Sequence, residues 1–239
     1  MGCSLSSEGA GCCNLEDRST VLRNKWTEAS AHDLQVVVDK TFTTTRAVGL
    51  KGLRFSFTIA DPLMPSCPLI GCSAGFKDLV GYSLDDILGR NCRFLIDPVP
   101  AHLVDNSMRT HVKAFCEAVA NYKTYTIPEN EREDWMPEGR DQDEMFCVQM
   151  NARKDGSLFN NMFYLKVLSA GDEIGHEKPF IVGLQTELPN GKADLRALVK
   201  NLEQLDSNMD DVEEALTRFL FIQTGMRRQR HKWDAENAN

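Results

Sequence analysis

The stretch GFKDLVGYSLDDILGRNCRFL, residues 75–95, decides the fold of this chain of 239 residues. It predicts short helical turns, and Ser83 has an aspartate at the third helical position after it, the pattern of a capping box. Near its end Cys92 stands between Asn91 and Arg93, so a thiol, a carboxamide and a guanidinium come together at a predicted turn. An arginine offers a bidentate partner for phosphate, although a cysteine flanked by polar residues is more often incidental.

Apolar residues recur with two different periods in the sequence on the two sides of this stretch. RFSFTIAD places Phe55, Phe57 and Ile59 on one face, which is the period-2 pattern of a half-buried strand. CPLIGC at 67–72 predicts a second short strand. Residues 101–121 carry apolar side chains at helical spacing and predict one amphipathic helix.

Three further strands are predicted in the second half of the chain, at 145–153, 158–168 and 179–187. The segment 154–157 between the first two has Asp-Gly at its centre, a signal for a tight turn. The count is five strands, mostly antiparallel, with helices inserted between the second and third. We therefore expect an α+β fold.

The charge of the chain is concentrated in one segment. The net charge is −8, from 27 basic and 35 acidic residues, and residues 128–144 hold eight acidic and two basic residues. This segment, with two prolines and a glycine, is interpreted as a surface loop that supplies six of the eight net negative charges. An acidic balance argues against a nucleic-acid binder that works by neutralising phosphates.

The C-terminal segment has a heptad pattern, with apolar residues separated alternately by three and four positions. Its members are Leu195, Leu198, Leu202, Leu205, Met209, Val212, Leu216 and Phe219. Such a helix either packs on its own domain or serves as a dimerising or movable output element. A basic cluster follows at 227–232, which suits either anionic lipid or solvent.

Several classes of protein are excluded or disfavoured by the composition. No apolar stretch approaches the ~18 residues that a membrane span needs. Eight cysteines are too few for a disulfide scaffold, and we expect no secretory signal and a reducing compartment. The five histidines share no metal-ligand spacing with a cysteine, so no metal site is predicted. No phosphate loop or nucleophile elbow is found, and we expect a protein that is not an enzyme.

Residues 75–95 closely resemble the flavin-binding segment of LOV domains, the blue-light branch of the PAS superfamily. FTIADP at 57–62 resembles the opening strand of that family, and the resemblance extends over residues 55–188. It implies the PAS/LOV fold, a five-stranded antiparallel sheet with helices on one face, flanked here by an N-terminal segment and a long C-terminal amphipathic helix.

The resemblance also implies a flavin site and a photochemical cycle. A LOV domain holds FMN noncovalently, and under blue light a nearby thiol bonds reversibly to ring carbon C4a while N5 gains a proton. FMN is the expected cofactor, ahead of riboflavin or FAD. By this resemblance Cys92 is the adduct-forming thiol and Arg93 pairs with the phosphate. The expected flavin contacts are Asn91, Cys92, Arg93, Asn151, Asn161, Phe163, Leu165, Ile181 and Gln185.

The chain departs from the family at the contacts to the flavin tail. Ile96 follows CRFL where the family usually has a glutamine, and Cys67 stands where it usually has an asparagine. For a second phosphate contact, Arg109 or Lys113 on the predicted helix would serve. Polar contacts to the ring are kept and those to the tail are thinned, so we expect weaker FMN binding than usual, or tolerance of other flavins.

The organisation expected from these features has four parts. Residues 1–24 form a flexible arm, 25–54 a flanking element, 55–188 the sensor with an acidic insertion at about 122–144, and 189–239 the heptad helix and basic tail. Met1-Gly2-Cys3-Ser4-Leu5-Ser6 fits the pattern for myristoylation at Gly2, with Cys3 placed for palmitoylation. We therefore expect a cytoplasmic protein at the inner face of a membrane.

Three functions fit the sequence. The first is a blue-light photoreceptor that signals from the last strand, through reorientation of the Gln185 amide, to the C-terminal helix. The output is then homodimerisation through the 195–219 helix or binding of an effector protein. The alternatives are a PAS-type module that binds another ligand or a protein, and a flavin redox sensor without the adduct.

Overall fold

The structure is a computed structural model that describes residues 56–136, 143–171, 177–191 and 194–195. Its centre is a five-stranded sheet made of β1 (Ser56–Ala60), β2 (Leu69–Cys72), β3 (Glu144–Ala152), β4 (Leu158–Gly171) and β5 (Glu177–Glu187). The strand order is β2-β1-β5-β4-β3, and every neighbouring pair is antiparallel. This confirms the expected five-stranded antiparallel sheet.

Helices are inserted between β2 and β3 in the described part of the chain, as predicted. They are α1 (Ala74–Val80), α2 (Leu84–Ile87) and α3 (Asn106–Ala120), with three short 3-10 turns at Cys92–Leu95, Ala101–Leu103 and Glu129–Glu131. α1 contacts β1 and β5, and α3 contacts β3 and β5. None of these described helices has the length and hydropathy to span a bilayer.

The first helical turns form because their end groups are satisfied locally. Ser73 caps α1, where its Oγ accepts the Phe76 N–H at 3.1 Å, and Gly81 ends α1 with a φ of +74°. At α2 the predicted capping box is present, since Ser83 Oγ accepts from Asp86 N and Asp86 Oδ2 accepts from Ser83 N. The two capped helices directly precede the Cys92–Leu95 turn in the chain.

The predicted helix over 101–121 is wrong in its first five residues, because α3 begins at Asn106. Asp105 is the reason. Its Oδ1 accepts the Met108 N–H at 2.9 Å, and its own N–H and C=O pair with the Gln149 side-chain amide at 2.9 Å each. A contact between residues 44 positions apart therefore sets the start of the helix.

The acidic segment is more than a surface loop where the structure describes it. Its acidic residues between 129 and 134 are exposed, but Tyr125, Ile127, Trp135 and Met136 pack against the core. Residues 137–142 lie outside the described residues, as do the predicted arm at 1–24, the element at 25–54 and nearly all of the heptad helix.

Candidate functional site

A cavity lies between one face of the sheet and the helical segment that contains Cys92. It holds about 610 Å³ of atom-free space, part of which opens to solvent. Eight of the nine residues expected to contact a flavin line it: Asn91, Cys92, Asn151, Asn161, Phe163, Leu165, Ile181 and Gln185. The structure thus brings together side chains that are up to 94 positions apart in the chain.

The alternation of the strands explains why these residues meet. On β4 the cavity residues are Asn161, Phe163 and Leu165, and on β5 they are Ile181, Gly183 and Gln185. Successive side chains of a strand point to opposite faces, so each set occupies one face. Since β5 lies between β1 and β4, these two sets are neighbours across the sheet.

A row of amides crosses the sheet at the polar end of the cavity lining. Asn161 Nδ2 lies 2.8 Å from Asn151 Oδ1 and 2.9 Å from Gln185 Oε1, and Gln185 Nε2 donates to Thr58 Oγ1 at 3.0 Å. Asn161 pairs with Glu187 and Phe163 pairs with Gln185, so the two amides are diagonal neighbours on one face. All four polar side chains are buried.

The Asn161 amide is better satisfied when it is turned by 180°, because in the orientation given above its oxygen faces the carbonyls of Met162 and Thr186. Turned by 180°, its nitrogen donates to the carbonyls of Met162 at 3.2 Å and Thr186 at 3.3 Å. Its oxygen then faces Asn151 and Gln185, which must present their own N–H groups to it. The direction of the hydrogen bonds along the row is therefore set jointly by Asn151, Asn161 and Gln185.

The rest of the lining is mostly apolar. At Gly183 the absence of a side chain leaves space at the sheet face that a Cβ would fill. Leu95, Ile96 and Val112 come from the helical segment. A Cβ on Gly183 would lie 3.0 Å from Thr58 Oγ1 and 3.2 Å from Leu165 Cδ2. The absence of that Cβ keeps the sheet face flat beside the amide row. An apolar slot with a few amides at one end fits a flat heteroaromatic ring, so the residues present suit a flavin.

Cys92 begins the 3-10 turn and is accessible where it lines the cavity. Asn91 holds this turn, since its Oδ1 accepts the Arg93 N–H at 3.0 Å and its Nδ2 donates to the Ser66 carbonyl at 2.6 Å. Desolvation by the surrounding protein raises the pKa of the Cys92 thiol above its usual value, with a further increase from Cys116. The thiol is therefore neutral and keeps its proton at physiological pH.

Arg93 is the expected contact that the cavity does not include. Its side chain is exposed and lies outside the lining. Arg109 and Lys113 on α3 are exposed as well and do not line the cavity. The assignment of a phosphate contact to any of the three stays a prediction.

Several lining residues were not predicted from the sequence. Thr58, Ala60, Leu69, Val112, Cys116 and Gly183 belong to this group. Thr58 and Ala60 alternate with Phe57 and Ile59, so the period of β1 contained a signal for them. Cys67 and Ile96, the two residues that differ from the family's usual contacts to the flavin tail, also line the cavity. No group of three or more His, Cys, Asp or Glu side chains in the described part of the chain is placed to hold a metal ion.

Comparison with known proteins finds phototropin and LOV proteins among the relatives of this chain. The chain is 38% identical over 82 residues, or 33% of its length, to Phototropin-2 of Oryza sativa subsp. japonica. It is 36% identical over 165 residues, or 68% of its length, to the Protein TWIN LOV 1 of Arabidopsis thaliana. These alignments span 9% and 34% of the two proteins, so the chain covers a minor part of the curated relatives it matches.

A solved structure, the light state of the blue-light photoreceptor Aureochrome1 LOV, is 26% identical and covers 68% of this chain and 97% of that chain with a TM-score of 0.41. No family model matches. The family follows from the sequence likeness to phototropin and TWIN LOV proteins, with the five-stranded antiparallel sheet in agreement. The chain belongs to the LOV domains of the PAS superfamily.

Proposed function

We propose that this protein is a blue-light sensor that holds FMN in the cavity and uses Cys92 as the thiol of a reversible light-driven bond to it. The observation that carries the proposal is that one cavity contains both the Cys92 thiol and the amide row of Asn151, Asn161 and Gln185. The first supplies a reactive group and the second a polar surface. Membership of the LOV family supports the same conclusion.

The bound flavin would supply absorption of blue light and an electrophilic ring carbon. The protein's own residues do the rest. The amide row presents both donors and acceptors, which suits the mixed polar edge of a flavin ring. Phe163, Leu165 and Ile181 provide apolar walls that exclude water. Cys92 stays protonated in the dark, so it carries the hydrogen that must leave the sulfur when the sulfur forms a bond.

The tail of the cofactor would be held less firmly than its ring. Cys67 and Ile96 line the cavity but offer little hydrogen bonding, so the ribityl chain loses two polar partners. Arg93 is the proposed phosphate contact, since an exposed guanidinium near the cavity pairs with a phosphate bidentately. FMN is thus proposed ahead of riboflavin, and ahead of FAD.

Gln185 is proposed to pass the signal from the cavity to the sheet. It lies on β5 and is linked to β1 through Thr58 and to β4 through Asn161. A flavin ring nitrogen that gained a proton would be a donor in place of an acceptor, and the Gln185 amide would then have to turn its oxygen towards it. Such a turn would exchange the partners that Gln185 has in Thr58 and Asn161.

Output through the C-terminal helix is part of the proposal and lies outside the described residues. The heptad pattern at 195–219 motivates light-dependent homodimerisation or binding of an effector. Acylation at Gly2 and Cys3, and with it a place at the cytoplasmic face of a membrane, is proposed on the N-terminal sequence alone.

The test is the absorption spectrum of the purified protein before and after blue light. We expect a flavin spectrum that bleaches in light and recovers in the dark. Cys92→Ala should bind flavin without reversible bleaching, whereas Cys67→Ser, which alters another thiol of the same cavity, should still bleach. Unchanged bleaching in Cys92→Ala would overturn the role of Cys92.

The cavity wall that would face the flavin tail is apolar, and this favours a second candidate function, a PAS module that binds another ligand. Cys67 and Ile96 at the cavity wall are the observation behind it. A colourless protein that FMN and riboflavin fail to reconstitute would support this candidate. A bound flavin that is reduced and reoxidised but never bleaches reversibly would instead indicate a redox sensor.

A further inference from the structure

The row of amides formed by Asn151, Asn161 and Gln185 ends at a hydroxyl group. Thr58 Oγ1 lies 3.0 Å from the Gln185 side-chain amide, and both side chains are buried and line the cavity. Thr58 lies on β1 directly opposite Gly183 of β5, so its partner across the strand pair has no side chain. The Thr58 hydroxyl therefore reaches the Gln185 amide diagonally, over a position that is left unfilled.

The hydrogen bonding of Thr58 favours one direction of this contact. Within the described part of the chain, the Thr58 hydroxyl has the Gln185 amide as its one hydrogen-bond partner. If the amide nitrogen faces Thr58, the hydroxyl oxygen accepts and the hydroxyl proton has no acceptor in this part of the chain. If the amide oxygen faces Thr58, the hydroxyl donates its proton to that oxygen. The second arrangement is favoured because a buried polar group without a partner costs free energy.

The other end of the row favours the same direction. The Asn161 nitrogen is best placed against the carbonyls of Met162 and Thr186, at 3.2 and 3.3 Å, with its oxygen towards the other two amides. Gln185 must then present its nitrogen to Asn161 at 2.9 Å, which leaves its oxygen on the Thr58 side. Two separate requirements, one at each end, thus give the row the same direction.

This direction decides which group Gln185 offers to a ligand in the cavity. The carbonyl oxygen of its amide is engaged by Thr58, whereas its nitrogen carries two protons and Asn161 takes one of them. The amide therefore offers an N–H group, which suits a ligand atom that accepts a hydrogen bond. To meet a ligand atom that has gained a proton, the amide must turn and give up the hydrogen bond from Thr58.

We propose that Thr58 is a positioning residue that acts through Gln185: its hydroxyl donates to the Gln185 carbonyl and holds the amide in the orientation that it has in the dark. Because this bond is lost when the amide turns, it favours the return of the protein to the dark state. The direction of the hydrogen bond is independent of the photochemistry, whereas its effect on the return rests on the proposed function.

Three variants separate the hydroxyl from the shape of the side chain. Thr58→Val keeps the branched side chain and removes the hydroxyl, and Thr58→Ser keeps the hydroxyl and removes the methyl group. Thr186→Val is the matched control, because Thr186 is also buried and is the neighbour of Gln185 on β5, on the opposite face of the sheet. Its hydroxyl contacts the Glu187 carbonyl, at 3.4 Å, instead of the amide row.

The first experiment reads the direction of the hydrogen bond by NMR of the purified full chain in the dark, with isotope-labelled glutamine and with the Gln185 signals assigned through the backbone of β5. We expect Thr58→Val to move the side-chain carbonyl carbon of Gln185 upfield, because that oxygen loses a donor. Thr58→Ser should restore its position, and Thr186→Val should leave it unchanged. If Thr58→Val leaves the carbonyl carbon in place and moves only the amide N–H signals, Gln185 donates to Thr58 and the proposal is overturned.

The second experiment reads the rate at which the absorption of the flavin-loaded protein returns in the dark after blue light. We expect Thr58→Val to slow the return about threefold or more, since it removes a hydrogen bond that is made in the dark state. Thr58→Ser should stay within about twofold of the unaltered chain, and Thr186→Val should not change the rate.

An equal or faster return in Thr58→Val, or the same slowing in Thr58→Ser, would overturn the effect of the hydroxyl on the return. If the unaltered chain does not bleach reversibly, the proposed function fails, while the carbonyl resonance of Gln185 still decides whether Thr58 donates to it.

Discussion

Replacement of Gly183 by alanine tests whether the flavin ring binds against the flat sheet face beside the amide row. The added Cβ would lie 3.0 Å from Thr58 Oγ1 and 3.2 Å from Leu165 Cδ2, both closer than an ordinary van der Waals contact. It would also approach Gln185 Nε2 at 3.8 Å. The neighbours must therefore shift, and Thr58 is the partner that holds the Gln185 amide.

The magnitude follows from the cost of overpacking. An extra methyl in a packed site typically costs about 1–3 kcal/mol. If the flavin ring rests on Gly183, this cost appears in its binding, and FMN affinity should fall roughly 5-fold to 150-fold. The assay is titration of FMN into the flavin-free protein, followed by the quenching of flavin fluorescence.

A matched control separates binding from folding. Val182 is the neighbour of Gly183 on β5, is buried, and lies on the opposite face of the sheet. Val182→Ile should lower the free energy of unfolding by a similar amount but leave the FMN affinity unchanged. Gly183→Ala that stays folded and binds FMN as tightly as the unaltered chain would refute the placement of the ring on this face.

Three other predictions follow from particular contacts. Arg93→Ala should weaken binding of FMN about tenfold but leave riboflavin binding unchanged in parallel titrations, because only FMN carries the phosphate; equal losses for both ligands would contradict the assignment. Hydrogen bonds from Lys154 and Ser83 lower the pKa of Asp86 from 3.8 to about 2, so the ion pair between Lys154 and Asp86, at 2.6 Å, contributes stability above pH 3.8 that is lost as the pH falls towards 2. Asp86→Asn should remove this part of the acid dependence of the urea midpoint, and an unchanged profile would show that the pair contributes nothing. Tyr125→Phe deletes the 2.8 Å contact between Tyr125 Oη and His111 Nδ1, which fastens the acidic loop to α3. It should lower the free energy of unfolding by about 1 kcal/mol and speed hydrogen exchange in that loop. Hydrogen exchange equal to that of the unaltered chain would contradict this.

The sequence was sufficient for those parts of the site that have a local pattern. The alternation of Asn161, Phe163 and Leu165 placed three side chains on one face of β4. The same period placed Ile181 and Gln185 on one face of β5. These strands are long and regular, so the face that each side chain occupies could be predicted without knowledge of the neighbouring strands.

The parts that could not be predicted depend on contacts between distant residues. Thr58 receives the Gln185 amide because β1 pairs with β5, a pairing of residues 127 positions apart that no local pattern indicates. The start of α3 depends on Gln149 in the same way. Trp135, in a segment whose composition is that of a surface loop, packs against the core because the loop folds back over it.

Infrared difference spectroscopy in the S–H stretching region tests the central claim most directly. The raised pKa of Cys92 means that its sulfur carries a proton in the dark, and the proposed bond removes that S–H group. The spectrum of the illuminated protein minus that of the dark protein should show the loss of one S–H band, which returns in the dark and is missing from the difference spectrum of Cys92→Ala. No loss of an S–H band in the unaltered, flavin-loaded protein, or the same loss in Cys92→Ala, would contradict the account.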